Sequence, residues 1–550
     1  MSTPITPPPL SPLDKLLRYL KNSFADGRSP ALWLLALVVG VVAGYAAIGL
    51  RLAIQSVQFV AFGEFHERLA SSASALPPLM IILAPVAGGC IVSLLLYVGL
   101  KTQWLPEVRA EGIADVMEAR AAQGGKMALI PSLWSALVHA VSIGAGGSTG
   151  REGPAVNLGA ALASFVSRPL NLPARGARIM LACGAAAAVA ASFNAPVAGA
   201  LFAFEVVLGH YALRSIGPVA ASSVIGAILS RIHFGATPAF SVPDIPPASL
   251  MDFIAIFPLG LMSAALAIAC VMLAFNVPRH LASRAQALSI PLWILPPFGG
   301  LLIGGLGVLA PEVLGVGYEA TSIALAGGYA IATLAALIVL KLAAIVATMA
   351  FRFGGGIFAP SLYLGAMLGA LYGALIAPIL GPDSAGSAYF AVIGMGAVGG
   401  AVLGAPLSTT LIVFELTASY EASIALLVCV SLASVITTSV TKGSFFHKQV
   451  ERHGFDLTQG DARVILQTIR ARDIMTPLDN QDAQGELEES CVYDDDYLGR
   501  VMGFFSAEKI DGAQVRSRHG DQPIVGYITK ADAHAAYAHA LQARHEEEHR

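Results

Sequence analysis

Gly144-Ala-Gly-Gly-Ser-Thr-Gly-Arg-Glu-Gly-Pro154 opens a stretch, 153–167, that carries no charged side chain. Pro154 suits the first turn of a helix, where its missing N–H is no loss. The glycines ahead of it let backbone come close to a ligand, and the helix start presents free N–H groups and a partial positive charge. Gly150, Arg151 and Gly153 thus outline an anion site, with Glu152 a tethered carboxylate able to occupy it or swing away. The competing reading has Arg151 and Glu152 simply pairing at a membrane edge, but ionisable residues inside a membrane are functional by default. Gly354-Gly-Gly-Ile-Phe-Ala-Pro360 repeats the arrangement, offering Gly356 and the N–H groups of Ile357 and Phe358 without a carboxylate. Two such helix starts meeting at the bilayer midplane hold a dehydrated anion by backbone dipoles alone, and a small halide fits best.

That these helices lie in lipid follows from the rest of the chain. Its 550 residues are 55% hydrophobic and 13% charged, with a mean hydropathy of +0.69, which a water-soluble globular protein rarely shows. Residues 31–50 carry no charge and are long enough to cross a hydrocarbon core of about 30 Å. Further uncharged runs lie at 153–167, 179–204, 321–340, 353–382 and 384–414, all interrupted by Gly and all but 321–340 also by Pro. Irregular backbone at membrane depth is tolerated only where protein covers it or where it lines a polar cavity, so broken helices point to a transport pathway. The net charge of −3 gives no basic surface for nucleic acid. The five cysteines, Cys90, Cys183, Cys270, Cys429 and Cys491, form neither a disulfide framework nor a metal motif.

The chain also repeats itself. Gly150, Pro154, Leu158, Gly159, Ala160 and Leu162 match Gly356, Pro360, Leu364, Gly365, Ala366 and Leu368 at one offset, and Gly184, Ala195-Pro196 and Phe204-Glu205 match Gly394, Ala405-Pro406 and Phe414-Glu415 at another. Two related halves, about 31–235 and 250–445, with corresponding broken segments are the usual pointer to a midplane substrate site. Residues 1–30 read as a Pro-rich, then basic, cytoplasmic tail; 31–454 as the membrane domain; 455–550 as a small α/β unit with a charged tail, also cytoplasmic. Basic residues before the first span place the N-terminus inside.

The Gly-Arg-Glu-Gly-Pro segment at 150–154, Gly-Gly-Ile-Phe-Ala-Pro at 355–360, Phe193-Asn-Ala-Pro-Val-Ala-Gly199 followed by Glu205, and Gly112 within Ala110-Glu-Gly-Ile-Ala-Asp-Val-Met-Glu118 resemble one family over about residues 31–452: the CLC chloride channels and chloride/proton exchangers. The resemblance implies an all-α polytopic fold built as an inverted repeat of broken, tilted helices, and a homodimer with a pore in each subunit. It implies chloride as the permeant ion, with Glu152 as the gating glutamate and Ile357 and Phe358 as backbone donors to the central chloride. The chain departs from the family pattern at three places. Glu111 stands where a serine hydroxyl usually contacts chloride, so a repulsive carboxylate replaces a donor. Phe446 replaces the coordinating tyrosine, which keeps an aromatic wall and loses the O–H. Val206 replaces the inner proton-accepting glutamate of the exchangers, and valine relays no proton. A channel-like or weakly proton-coupled transporter is the expectation, the chloride/proton antiporter its alternative. Glu205 and its repeat mate Glu415 are either proton carriers or, as preferred here, caps or pairing groups within the bundle.

In the tail, Val464-Ile-Leu-Gln-Thr-Ile-Arg-Ala-Arg-Asp-Ile-Met-Thr-Pro477 and Pro523-Ile-Val-Gly-Tyr-Ile-Thr-Lys-Ala-Asp532 resemble the opening and close of a single CBS module. Thr529 and Asp532 match positions that often hold a nucleotide, so an adenine nucleotide is the one cofactor the resemblance raises; a purely structural tail is the equal alternative. His139 and His210 read as buried or interfacial side chains, and Lys341 and Arg352 as snorkelling groups at the edges of an apolar run. An intramembrane serine protease using Ser148 and His139 leaves the repeat unexplained, so the chain is not read as an enzyme. A cation transporter using Glu111, Glu152 and Glu205 conflicts with helix starts that repel cations. The expectation is an inner-membrane, multi-pass, homodimeric chloride transporter whose partners are chloride, protons, membrane lipid and its own second copy.

Overall fold

The computed structural model describes residues 30–66, 68–235, 240, 242, 245–382, 384–417, 419–457, 460–477, 491–518 and 523–549. The N-terminal tail and the start of the acidic stretch 486–496 lie outside the described residues. Among those described, ten helices are long and apolar enough to cross a membrane. Shorter apolar helices, including Leu129–Gly144 and Pro406–Thr417, lie among them. The small side chains that repeat in the sequence are the places where helices cross. A Cβ on Gly159 would lie 2.6 Å from the Gly184 carbonyl oxygen, and one on Gly394 2.5 Å from the Gly365 carbonyl oxygen. Each half thus packs backbone on backbone at the same position, as membrane helices do where Gly permits.

Both halves also break at the same position. Helix Ala174–Phe193 ends at Asn194 and helix Gly386–Leu403 at Gly404, both left-handed with φ of 59° and 69°. Pro196 and Pro406 then start short helices, the position where proline is favoured. Their exposed N–H groups are satisfied across the molecule. The Glu205 carboxylate accepts from the backbone N–H groups of Leu407 (3.1 Å) and Ser408 (2.8 Å). Glu415 accepts from those of Val197 (3.0 Å) and Ala198 (2.8 Å). Each half caps the other's helix.

The C-terminal unit is a four-stranded sheet, β1 (Thr476–Pro477), β2 (Val492–Tyr493), β3 (Gly512–Arg516) and β4 (Ile524–Thr529), in the order β1-β4-β3-β2. Only the β2 and β3 pair is parallel. Helix Leu498–Glu508 packs Leu498, Val501 and Phe505 against Val515 and Ile528 in a separate apolar core. Its last helix, Lys530–His549, reaches back to the membrane domain. Glu547 pairs with Arg178, and Arg544 Nη2 donates to the Ala121 carbonyl at 2.7 Å. Burial opposes ionisation of Glu547, but His210 and Arg178 outweigh it and hold the carboxyl below its usual range.

Candidate functional site

The two glycine loops meet. Gly150 N–H donates to the Gly356 carbonyl at 2.7 Å and Gly356 N–H to the Gly150 carbonyl at 3.0 Å, an antiparallel bridge joining the halves. Thr149 Oγ1 donates to the same Gly356 oxygen at 2.8 Å, and Ser148 N–H to Thr348 Oγ1 at 3.1 Å. Gly354 and Gly355 hold φ of 88° and 117°, where a side chain is strained. Directly after the bridge come helices Glu152–Ser167 and Phe358–Leu380, and at neither does the residue preceding the helix cap it with its own side chain. Their N-terminal N–H groups and positive dipole ends therefore lie side by side in the protein interior.

A cavity of about 250 Å³ opens beneath them, lined by six of the residues singled out from sequence: Glu111, Gly112, Gly153, Gly356, Ile357 and Phe446. Phe446 is buried and supplies an aromatic wall. The Glu111 carboxylate accepts from Ser132 Oγ at 3.1 Å, while its backbone N–H donates to Ser135 Oγ (2.9 Å) and its carbonyl accepts from His139 Nε2 (2.8 Å). His139 Nδ1 and Ser148 Oγ form no hydrogen bond with each other, so the serine protease reading lacks its contact between nucleophile and base.

Glu152, Arg151, Gly150 and Phe358 do not themselves line this cavity. Glu152 is 1% exposed, and Tyr318 Oη donates to its Oε1 at 2.5 Å. Arg151 lies over the Tyr318 ring, 4.9 Å from its centroid. Phe358 packs between Phe193 (5.1 Å) and Phe202 (5.9 Å).

Tyr318 was not singled out in the sequence. Lys341 corrects an expectation: it does not snorkel but is 0% exposed, its Nζ donating to the carbonyls of Val313 and Gly315, both at 3.0 Å. Gly315 N–H in turn donates to the Gly146 carbonyl at 3.1 Å, tying the turn before Tyr318 to the first glycine loop. Lys341→Met should leave two interior carbonyls unpaired and lower stability by about 1–3 kcal/mol. Thermal unfolding in detergent tests this, and an unshifted midpoint would refute it.

Arg109, Arg352 and Arg452 also line this cavity. Of these, Arg352 is half-buried. Arg109 binds Asp115 with Nη2 at 2.6 Å and Nη1 at 3.0 Å, and donates to His453 Nε2 at 2.8 Å. His453 Nδ1 lies 2.7 Å from Glu118. Asp115, Glu118 and His453 approach within metal-ligand spacing, but the Arg109 guanidinium already supplies their positive charge.

Two predicted groups lie elsewhere. Glu205 is spent on the helix cap described above, which removes it from the cavity. In the C-terminal unit, Thr529 Oγ1 donates to Asp532 Oδ2 at 2.6 Å and Asp532 N–H to Thr529 Oγ1 at 3.0 Å, a capping box starting helix Lys530–His549. A nucleotide using these groups would have to displace that cap.

A family model described as voltage gated chloride channel matches residues 93–438. The chain is 32% identical over 423 residues to a putative chloride channel protein ClcB-like of Ralstonia nicotianae, covering 76% of this chain and 96% of the relative. It is 29% identical over 421 residues to the voltage-gated ClC-type chloride channel ClcB of Escherichia coli O157:H7, covering 76% and 99%. Among solved structures, a slow cyanobacterial Cl−/H+ antiporter superposes with a TM-score of 0.67 at 21% identity, covering 77% of this chain and 98% of that one. A eukaryotic CLC transporter gives 0.64 at 17% identity, covering 94% and 98%.

Proposed function

Because the chain belongs to the voltage-gated chloride channel family, we propose that it carries chloride across a membrane between the paired helix starts at Glu152 and Phe358, with Glu152 as the gate. The observation that carries this reading is the Gly150–Gly356 bridge, which sets two electropositive helix ends together at the head of a cavity. A negative ion leaving water there exchanges hydration for fixed backbone dipoles. The Glu152 carboxylate, held by Tyr318, competes for the same positive field.

A channel-like or weakly proton-coupled mode is favoured over strict antiport. Val206 offers no proton acceptor, and the neighbouring Glu205 is engaged by two backbone N–H groups and by Ser408 Oγ at 2.5 Å. The protein is read as a homodimer in the bacterial inner membrane with both termini cytoplasmic. The short helices around Val197 (54% exposed) and Leu407 (43% exposed) offer an apolar face for the second copy. Simultaneous recording of chloride and proton movement from liposomes tests the whole reading. Chloride movement with few or no counter-moving protons is expected; no chloride movement refutes it, and tight proton coupling refutes the mode.

Tyr318→Phe removes one hydrogen bond to a charged group, worth about 1.5–3 kcal/mol. The gate should then leave its closed position more often, raising chloride flux at neutral pH about tenfold. Wild-type flux from this variant would dismiss the latch.

A further inference from the structure

Beside the anion cavity lies a second one, about 710 Å³, between the end of helix Leu250–Ala287, the turn Leu292–Ile294 and the last membrane helix, Phe445–Arg452. Three arginines line it, Arg279, Arg352 and Arg452, and no Asp or Glu does. Arg452 Nη2 donates to the Phe275 carbonyl at 2.7 Å, while Arg279 and Arg352 form no ion pair among the described residues. Arg279 and Arg352 both push against the charge of Arg452. Three like charges gathered in one hollow without a carboxylate call for an anion, and the hollow is far too roomy for a halide. Guanidinium forks match phosphate oxygens in pairs.

Arg452 ends the helix that leads into the C-terminal unit, so the hollow opens on that side of the membrane domain. Its remaining walls include Pro278, Ile290, Pro291 and Leu292, and Leu288, between two lining residues in the chain, is 71% exposed. Charge at the base and apolar surface at the rim suit a phosphate carried at the membrane interface.

We propose that this pocket binds a phosphate-bearing anion, either a lipid headgroup or a soluble phosphoester, and that its occupancy lowers chloride entry. The second half rests on the transport reading given above: Arg352 and Arg452 line both cavities, so a phosphate neutralising them weakens the positive field at the inner mouth.

The full chain is placed in nanodiscs containing phosphatidylcholine and phosphatidylglycerol, and retained lipid is counted by native mass spectrometry. In a second arm, sodium pyrophosphate is titrated against the protein in phosphatidylcholine alone while its unfolding temperature is read. A lipid ligand gives about tenfold enrichment of phosphatidylglycerol, the equivalent of one charged hydrogen bond, and loses it in Arg279→Gln/Arg352→Gln. A soluble ligand gives a pyrophosphate-dependent rise in unfolding temperature that the same variant lacks. Arg279→Gln alone, altering an exposed side chain, serves if the double variant does not fold. No enrichment and no pyrophosphate effect, or equal effects in wild type and variant, overturn the site. Chloride flux is measured separately with and without the effective ligand. Flux that ignores the ligand overturns the coupling, and absence of flux under all conditions sinks the transport reading while the binding result stands.

Discussion

Glu152→Ala is expected to leave chloride flux intact or raise it, and to flatten its dependence on pH. In the wild type a buried carboxylate sits among the electropositive helix starts, fastened by Tyr318. While charged it competes with chloride; once protonated it no longer does, so wild-type flux should increase as pH falls. Alanine removes both the competing charge and the titrating group. Flux at neutral pH should therefore rise towards the wild-type acid value, about tenfold if one charged hydrogen bond held the gate. Chloride efflux from liposomes at neutral and acid pH is the measurement, with Glu152→Gln as a neutral companion of the same shape. An alanine variant that keeps the wild-type pH profile would falsify the gating role.

Gly355→Ala should have the opposite effect and abolish transport. Gly355 holds a φ of 117° and has the Thr149 side chain packed directly against its Cα, so an added methyl would overlap the threonine. The backbone strain alone is about 1–3 kcal/mol, and overpacking adds about 1–3 kcal/mol more. Because Gly356 follows directly and forms the bridge to Gly150, the relief available is to pull the two loops apart. The dipoles then separate and the ion loses its seat. Thr149→Gly combined with Gly355→Ala removes the overlap but not the φ, so it should recover folding in part. Near-normal flux from Gly355→Ala would show that the bridge is not needed.

Much of this site was legible in the sequence because one pattern states it twice. Matched Gly and Pro residues in two halves disclosed both helix starts, and the same matches contain the glycines that let the helices cross. The preference for Glu205 as a cap or pairing group was legible too, although its partner was not: Ser408 lies 203 residues away, and spacing says nothing about which N–H groups a carboxylate will find. Tyr318 was invisible for a similar reason, lying 166 residues from Glu152 with no local motif to mark it. Lys341 misled because a cation at the edge of an apolar run ordinarily reaches water, whereas here two carbonyls of a tight turn replace it. Thr529 and Asp532 carried a nearer signal that went unused. A threonine three residues before an aspartate at a helix start is itself a capping pattern, and the structure uses it so.

The exchanged carboxylates bear on how the chain is made. Glu205 leaves the ribosome 203 residues before Ser408, the group it must meet. At about 5–20 residues per second, synthesis keeps it waiting about 10–40 s. During that interval the first half sits in the bilayer with an unmatched acid and an unfinished short helix, and its maturation is complete only when the second half arrives. Nascent chains halted before residue 408 should therefore remain open to membrane quality-control proteases, however well their individual spans insert.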